Sequence, residues 1–287
     1  MTEYPELMKT AKDAFPPDVI ERARELLDEI GSIGAYSHSQ GIPLIRKNVA
    51  KFIEGAKKKI YQPLRHPPLT RTLDRDGYPS NPNHIFLTGG ATPGVALFIQ
   101  MLIKPVTPNN PDPSGILIPL PQYPLYSATL AAYSGTVLPY YTDEAKGWST
   151  SPDEVRAALA HAKERGVIAK ALVVINPGNP TGALLDEETQ EELVRVCEEH
   201  RLVLMADEVY QFNLHRREEG TFTSFKKIVR RMNSSIPVVS YHSVSKGVLG
   251  ECGKRGGYFE LTNFSEELVA LVYKMVRRPR HTVSDEN

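Results

Sequence analysis

The stretch INPGNPTG, residues 175–182, places two Asn-Pro pairs, two glycines and a threonine directly behind the apolar run KALVVI at 170–175. A run this short and this apolar reads as a strand buried on both faces, the kind a parallel sheet uses. The prolines remove ladder donors and the glycines permit sharp turns, so the strand is expected to stop at residue 175. Working outward, the same design recurs in GILIP at 115–119, LVLMA at 202–206 and PVVSYH at 237–242. Between these runs lie segments with helical spacing. Val155, Leu159 and Ala162 follow a Ser-Pro-Asp-Glu start, and Leu193, Val194 and Val196 follow an Asp-Glu-Glu start that suits the positive end of a helix dipole. Strands alternating with helices predict an α/β fold, a three-layer αβα sandwich around a mostly parallel sheet.

The chain has 287 residues with 41% hydrophobic and 24% charged content, enough for a large core. Thirty-four basic residues balance thirty-four acidic ones, so net charge attracts neither nucleic acid nor an anionic membrane. The basic run at 274–280 is terminal, which argues against a nucleic-acid binder. Cys197 and Cys252 form no CxxC pair, and the eight histidines have no metal-ligand spacing. The longest apolar run, 95–103, is about half of the ~20 residues a membrane span needs. The first eighteen residues carry acids and prolines without a signal or transit pattern, so the expectation is a soluble, cytoplasmic chain.

Four organisational units are expected: residues 1–55, two amphipathic helices at 18–30 and 45–52 flanking a loop at 34–41; residues 56–83, an exposed excursion rich in Pro and Lys; residues 84–276, the α/β body; and residues 277–287, a polar tail.

Open α/β sheets bind ligands beyond the carboxyl ends of their strands. Four loops occupy that position. TGGAT at 88–92 precedes a helix and has the small, hydroxylated make-up of an anion site, although a plain helix cap explains it equally well. The second is INPGNPTG itself. The third is DEVY at 207–210, where Asp207 ends an apolar run and its desolvated carboxylate should seek a cation; a helix cap is the plainer reading. The fourth is SVSK at 243–246, whose Lys246 could serve as an amine nucleophile, though a lone lysine is usually solvated surface. Nine residues on, Arg255 lies among glycines in GECGKRGG, 250–257, where a guanidinium could meet a phosphate. That cluster is no P-loop, and no GxGxxG follows a strand, which disfavours a nicotinamide enzyme.

The order NPGNPTG, ADEVYQ, SVSKG and then Arg255 with Gly256 and Gly257 closely resembles the large domain of the fold type I aminotransferases, and PLPQYPLYSA with SKGVLGECGKRGGY is similar to their alanine aminotransferase branch. The likeness runs from about residue 34 to about 275, interrupted near 56–75. It implies a seven-stranded, mostly parallel sheet and pyridoxal 5′-phosphate as cofactor. By position, Lys246 would be the amine that joins the cofactor aldehyde and shuttles protons, and Asp207 would pair with the pyridine nitrogen. Asn179 and Tyr210 would bond the ring oxygen, and Tyr123 would stack on the ring. Ala91, Thr92, Ser243, Ser245 and Arg255 would hold the phosphate. Tyr36 would reach the phosphate of a neighbouring subunit, which implies a homodimer. The implied chemistry exchanges an amino acid and a 2-oxo acid, with alanine and 2-oxoglutarate as the pair. The resemblance also implies a small C-terminal domain carrying an arginine for the substrate carboxylate. No residue here matches that arginine, so the expectation for this span is weak turnover or none, with a cofactor-binding or dimerising module as the alternative. An apolar patch on the helix at 266–276, formed by Leu268, Val269, Leu271 and Val272, is expected for the same reason.

Overall fold

A computed structural model describes residues 14–31, 37–55, 75–104, 106–108, 110–214 and 221–277. Two helices open the described chain, α1 (Pro17–Ile30) and α2 (Pro43–Glu54), each with proline in its first turn, where a missing N–H costs nothing. The body then alternates: β1 (Ile85–Thr88), α3 (Ala91–Leu102), β2 (Ser114–Leu120), α4 (Leu125–Ala132), β3 (Thr136–Asp143), β4 (Ser149–Thr150), α5 (Pro152–Glu164), β5 (Ile168–Ile175), α6 (Glu187–His200), β6 (Val203–Asp207), α7 (Phe225–Arg231), β7 (Val238–Ser243), β8 (Gly257–Thr262) and α8 (Glu266–Arg277).

The strands form one sheet in the order β1-β8-β7-β6-β5-β2-β3-β4. From β7 through β6, β5 and β2 to β3 every pairing is parallel, whereas β8 runs antiparallel to both of its neighbours. The count is eight rather than the expected seven. The extra strand, β4, is two residues long and arises because Asp143 caps a single turn, Glu144–Lys146, that folds the chain back onto the end of β3.

Alternate residues of the central strands serve opposite faces, as the period of two requires. Leu172 and Val174 of β5 pack with Leu193, Val194, Phe225 and Ile228 on one face. Ala171, Val173 and Ile175 pack with Val95, Phe98, Tyr126 and Leu130 on the other. Helices α5, α6 and α7 therefore cover one side, and α3, α4 and α8 the other. This double burial is why residues 170–175 are continuously apolar. The stripes anticipated on α5 and α6 are buried as expected, Val155, Leu193, Val194 and Val196 completely.

Two sequence expectations are revised. Residues 56–74 lie outside the described residues, and residues 75–83 are exposed only in part: Gly77, Pro79, Asn81 and Asn83 are exposed, whereas Asp76 and Ser80 are buried and the Arg75 side chain is only 6% exposed. Composition alone misread the buried ones, because their polar groups meet buried partners just after β6, just before α7 and on β8. The patch on α8 is half the expected size. Val269 and Val272 are buried against the sheet, while Leu268 and Leu271 are 47% and 46% exposed. The polar tail from residue 278 onward also falls outside the described residues.

Candidate active site

The carboxyl ends of β5, β6 and β7 and the amino end of β8 meet at one edge, because the reversed direction of β8 brings its first residue level with the last residues of its neighbours. Ile175, Asp207 and Tyr241 pair in one row, and Thr88, Gly257 and Ser243 in another. The loops picked out from the sequence leave from these two rows.

After β5 the chain turns tightly. Gly178 N–H donates to the Ala183 carbonyl at 2.8 Å and Gly182 N–H to the Gly178 carbonyl at 3.0 Å. Asn176 accepts the Leu185 N–H through Oδ1 at 3.1 Å. A Cβ on Gly178 would stand 2.6 Å from the Thr181 hydroxyl, so any larger residue there would displace that side chain. The peptide bonds before Pro177 and Pro180 are both cis. This turn presents Asn179, whose Nδ2 donates to the Tyr210 hydroxyl at 3.2 Å and whose carbonyl accepts the Tyr123 N–H at 3.1 Å. Tyr123 is 54% exposed, so its ring faces outward rather than filling the core.

Asp207 closes β6 with its carboxylate buried. A turn follows it, not the helix that the cap reading required. Burial raises its proton affinity, opposed by a hydrogen bond from Tyr126, the Val209 N–H and the charge of Lys246. Tyr126 Oη donates to Asp207 Oδ2 at 2.8 Å. The phenol is itself pushed well above its usual range, by burial first and by the neighbouring carboxylate second. The sequence reading missed Tyr126. Its local spacing did not mark it, because the partner that defines it, Asp207, stands 81 positions away. Tyr241, in register with Asp207, keeps a buried hydroxyl without a hydrogen-bond partner among the described residues. Lys246 Nζ lies 5.1 Å from the centre of the Tyr210 ring.

The second row builds an anion-binding corner. Helix α3 begins behind Gly90 with no side chain capping its first turn, so the amides near Ala91 and Thr92 retain their donor capacity. Gly90 adopts φ +95°, and a Cβ there would collide with the Arg255 guanidinium at 2.5 Å. Arg255 Nη2 donates to the Gly89 carbonyl at 2.6 Å, and Nη1 approaches Ser245 Oγ at 3.5 Å. Ser243 Oγ donates to Ser245 Oγ at 2.8 Å. Gly257 allows the two edges to close, since a Cβ on it would meet the Gly90 backbone at 2.8 Å. Of the residues anticipated from sequence, Asp207, Asn179, Tyr210, Tyr123, Lys246, Ser243, Ser245, Arg255, Ala91 and Thr92 share this edge, and Tyr36 lies outside the described residues.

Next to Asp207, Glu208 is buried, and its proton affinity rises to about 7, chiefly by desolvation, against the pull of Arg75. His242 on β7, 3.1 Å from Gln211, is driven down to about 4 by burial and by Arg75. The two act oppositely on stability. The raised carboxyl contributes stability at low pH that is lost as pH climbs from about 4.5 to about 7. The depressed imidazole contributes stability that is gained as pH climbs from about 4 to about 6.5. Each spans about 2.5 pH units, worth about 3 kcal/mol, so they largely cancel where they overlap. His242→Gln is expected to uncover the carboxyl. Urea midpoints of that variant should fall steadily from about pH 5 to about pH 7, while those of the parent stay nearly level; parallel profiles would refute the assignment.

A sequence model for aminotransferase class I and II matches residues 6–282. The chain belongs to that family. Among curated relatives, alanine aminotransferase 1, mitochondrial, of Arabidopsis thaliana is 46% identical over 91% of this family member and 44% of its own length. The probable mitochondrial alanine aminotransferase of Dictyostelium discoideum is 44% identical, over 96% and 48%. Among solved structures, an alanine aminotransferase from Pyrococcus furiosus superposes with a TM-score of 0.65 at 26% identity, covering 84% of this aminotransferase chain and 51% of the other. The chain thus spans about half the length of the curated relatives it matches. The expectation of a cytoplasmic protein is corrected by the same findings, since these relatives carry "mitochondrial" in their names. Composition and the lack of a long apolar run describe the folded body, which is alike in either compartment, and so never bore on localisation. Among the described residues no helix is long and apolar enough to cross a membrane, and no metal-holding cluster of His, Cys, Asp or Glu is present.

Proposed function

We propose that this edge of the sheet binds pyridoxal 5′-phosphate and that the protein transfers an amino group between an amino acid and a 2-oxo acid, with alanine and 2-oxoglutarate as the pair. The observation that carries the reading is the juxtaposition of a buried carboxylate, an amide–phenol pair, an exposed amine and an anion corner on neighbouring loops. The residues fit the group. The space that Gly90 leaves beside Arg255 and the uncapped start of α3 suit a phosphate. Among the described residues the desolvated Asp207 carboxylate is hydrogen-bonded by Tyr126 and the Val209 N–H but by no cation, and a protonated ring nitrogen would supply one.

Bound there, the cofactor supplies an electron-accepting ring conjugated to an aldehyde. Arg255, Ser243, Ser245 and the amides of Ala91 and Thr92 anchor its phosphate. Asp207, which accepts a hydrogen bond from Tyr126, would hold a proton on the ring nitrogen. Asn179 and Tyr210 orient the ring through its oxygen, and Tyr123 covers one face. Lys246 would supply the amine that joins the cofactor aldehyde and would hold the proton moved to and from the substrate carbon. The family resemblance would make Tyr36, which lies outside the described residues, a contact to the phosphate of a second copy, and the working unit a homodimer with small-molecule substrates.

Titration of purified protein with pyridoxal 5′-phosphate tests the proposal: a saturable visible absorbance band is expected, and its bleaching by alanine with restoration by 2-oxoglutarate, weak or slow in this span for want of the carboxylate arginine, would show turnover. No band in folded protein would sink it. A band that forms but is indifferent to alanine would leave a cofactor-binding module without turnover.

A further inference from the structure

Residues 75–80 bring a set of charges into the core that the proposed chemistry does not use. Arg75 Nη2 donates to Glu208 Oε2 and its Nε to Asp76 Oδ1, each at 3.1 Å, with the guanidinium side chain 6% exposed. Asp76 Oδ1 accepts the Ser224 hydroxyl at 2.6 Å, and the Asp76 N–H donates to the Ile53 carbonyl at the end of α2. Beside them Lys226 Nζ meets Glu260 Oε1 at 2.6 Å, as does the Ser80 hydroxyl. Burying ions is costly, and such pairs are weak evidence for stability. Their position is more informative.

Glu208 directly follows Asp207, and both of its carboxylate oxygens are engaged: Oε2 by Arg75, and Oε1 by the Phe225 N–H at the start of α7 at 2.9 Å. From Glu208 a run of bonds crosses the site. Gln211 N–H donates to the Glu208 carbonyl at 3.1 Å and Asn213 N–H to the Tyr210 carbonyl at 2.8 Å. Asn213 Oδ1 then accepts the N–H of Gly247, the residue after Lys246, at 2.9 Å. We infer that Arg75 is a positioning residue: acting through Glu208, it fixes the turn at 208–213 and with it the spacing between the Asp207 carboxylate and the Lys246 amine. The inference deepens the proposed function, because it takes those two groups as the acid and amine of that site. The guanidinium suits the task, since it stays charged when buried and its planar fork grips two carboxylates at once.

Hydrogen exchange of the cofactor-free protein tests it. Arg75→Met should speed exchange about tenfold or more at both 208–213 and 244–250, and Arg75→Lys, which keeps the charge, should do so less. Lys226→Met combined with Glu260→Leu removes the neighbouring pair without touching Glu208 or stranding a charge and should leave both segments near their parental rates. Unchanged rates in Arg75→Met, or an equal increase in that double variant, would overturn the inference. Should Arg75→Met fail to fold, Glu208→Gln, which keeps an acceptor for the Phe225 N–H but drops the pairing charge, carries the same comparison. Cofactor plays no part in this measurement. A parent chain that takes up no pyridoxal 5′-phosphate sinks the functional reading alone, and the exchange pattern decides the role of Arg75.

Discussion

Lys246→Ala is expected to abolish the visible absorbance that pyridoxal 5′-phosphate acquires on the parent protein. Any amino-group transfer should fall with it by about 10²–10⁴-fold or more, because the chain would lose both its attacking amine and its proton carrier. Among the described residues, Lys226 is locked to Glu260 and offers no substitute amine. Phosphate anchoring should survive. Arg255 holds its place through the Gly89 carbonyl and Cys252 carbonyl, neither of which depends on Lys246. Equilibrium dialysis should therefore show cofactor retained at reduced affinity while the band is gone. A band of parental intensity in the variant would remove Lys246 from the chemistry.

Breaking the second buried pair should produce a large loss of stability. Lys226 is 1% exposed and Glu260 2%, and the second carboxylate oxygen of Glu260 already has no hydrogen-bond partner among the described residues. Lys226→Met leaves that carboxylate in the core with the Ser80 hydroxyl alone, at a cost of about 3–5 kcal/mol. Calorimetry should show the unfolding temperature lowered by about 10 °C. The double variant Lys226→Met with Glu260→Leu removes the stranded charge as well and should recover most of the loss, since apolar replacement of a whole buried pair is often neutral or better. A single variant within about 1 kcal/mol of the parent would mean that water reaches Glu260.

The layered α/β fold was legible because double burial forces continuous apolar strands, and the loops behind them could be ranked by chemistry before any contact was known. What stayed hidden has a common cause. Arg75 and Asp76 look like solvated surface in a Pro- and Lys-rich neighbourhood, and only Glu208, 133 positions from Arg75, shows otherwise. Tyr126 looks like core until its hydroxyl is seen on Asp207. In each case a polar group is defined by a partner far away in sequence, and local spacing carries no trace of it. The cap reading of Asp207 failed for a similar reason, since whether a helix follows β6 is decided by how the next residues pack. Short β4 went unseen because two residues are too few to show any period.

The position of β8 has a consequence for the order of assembly. Strand β1 hydrogen-bonds only to β8 within the sheet, and β8 comes last among the described strands in chain order. Of the described strands, β1 is made first and its neighbour last, so the pairing must wait for a loop of well over a hundred residues to close, a costly and slow kind of contact. Arg255 and Gly89 arrive together with that event, so a nascent chain can own its ring-binding half before any anion corner exists to receive a phosphate.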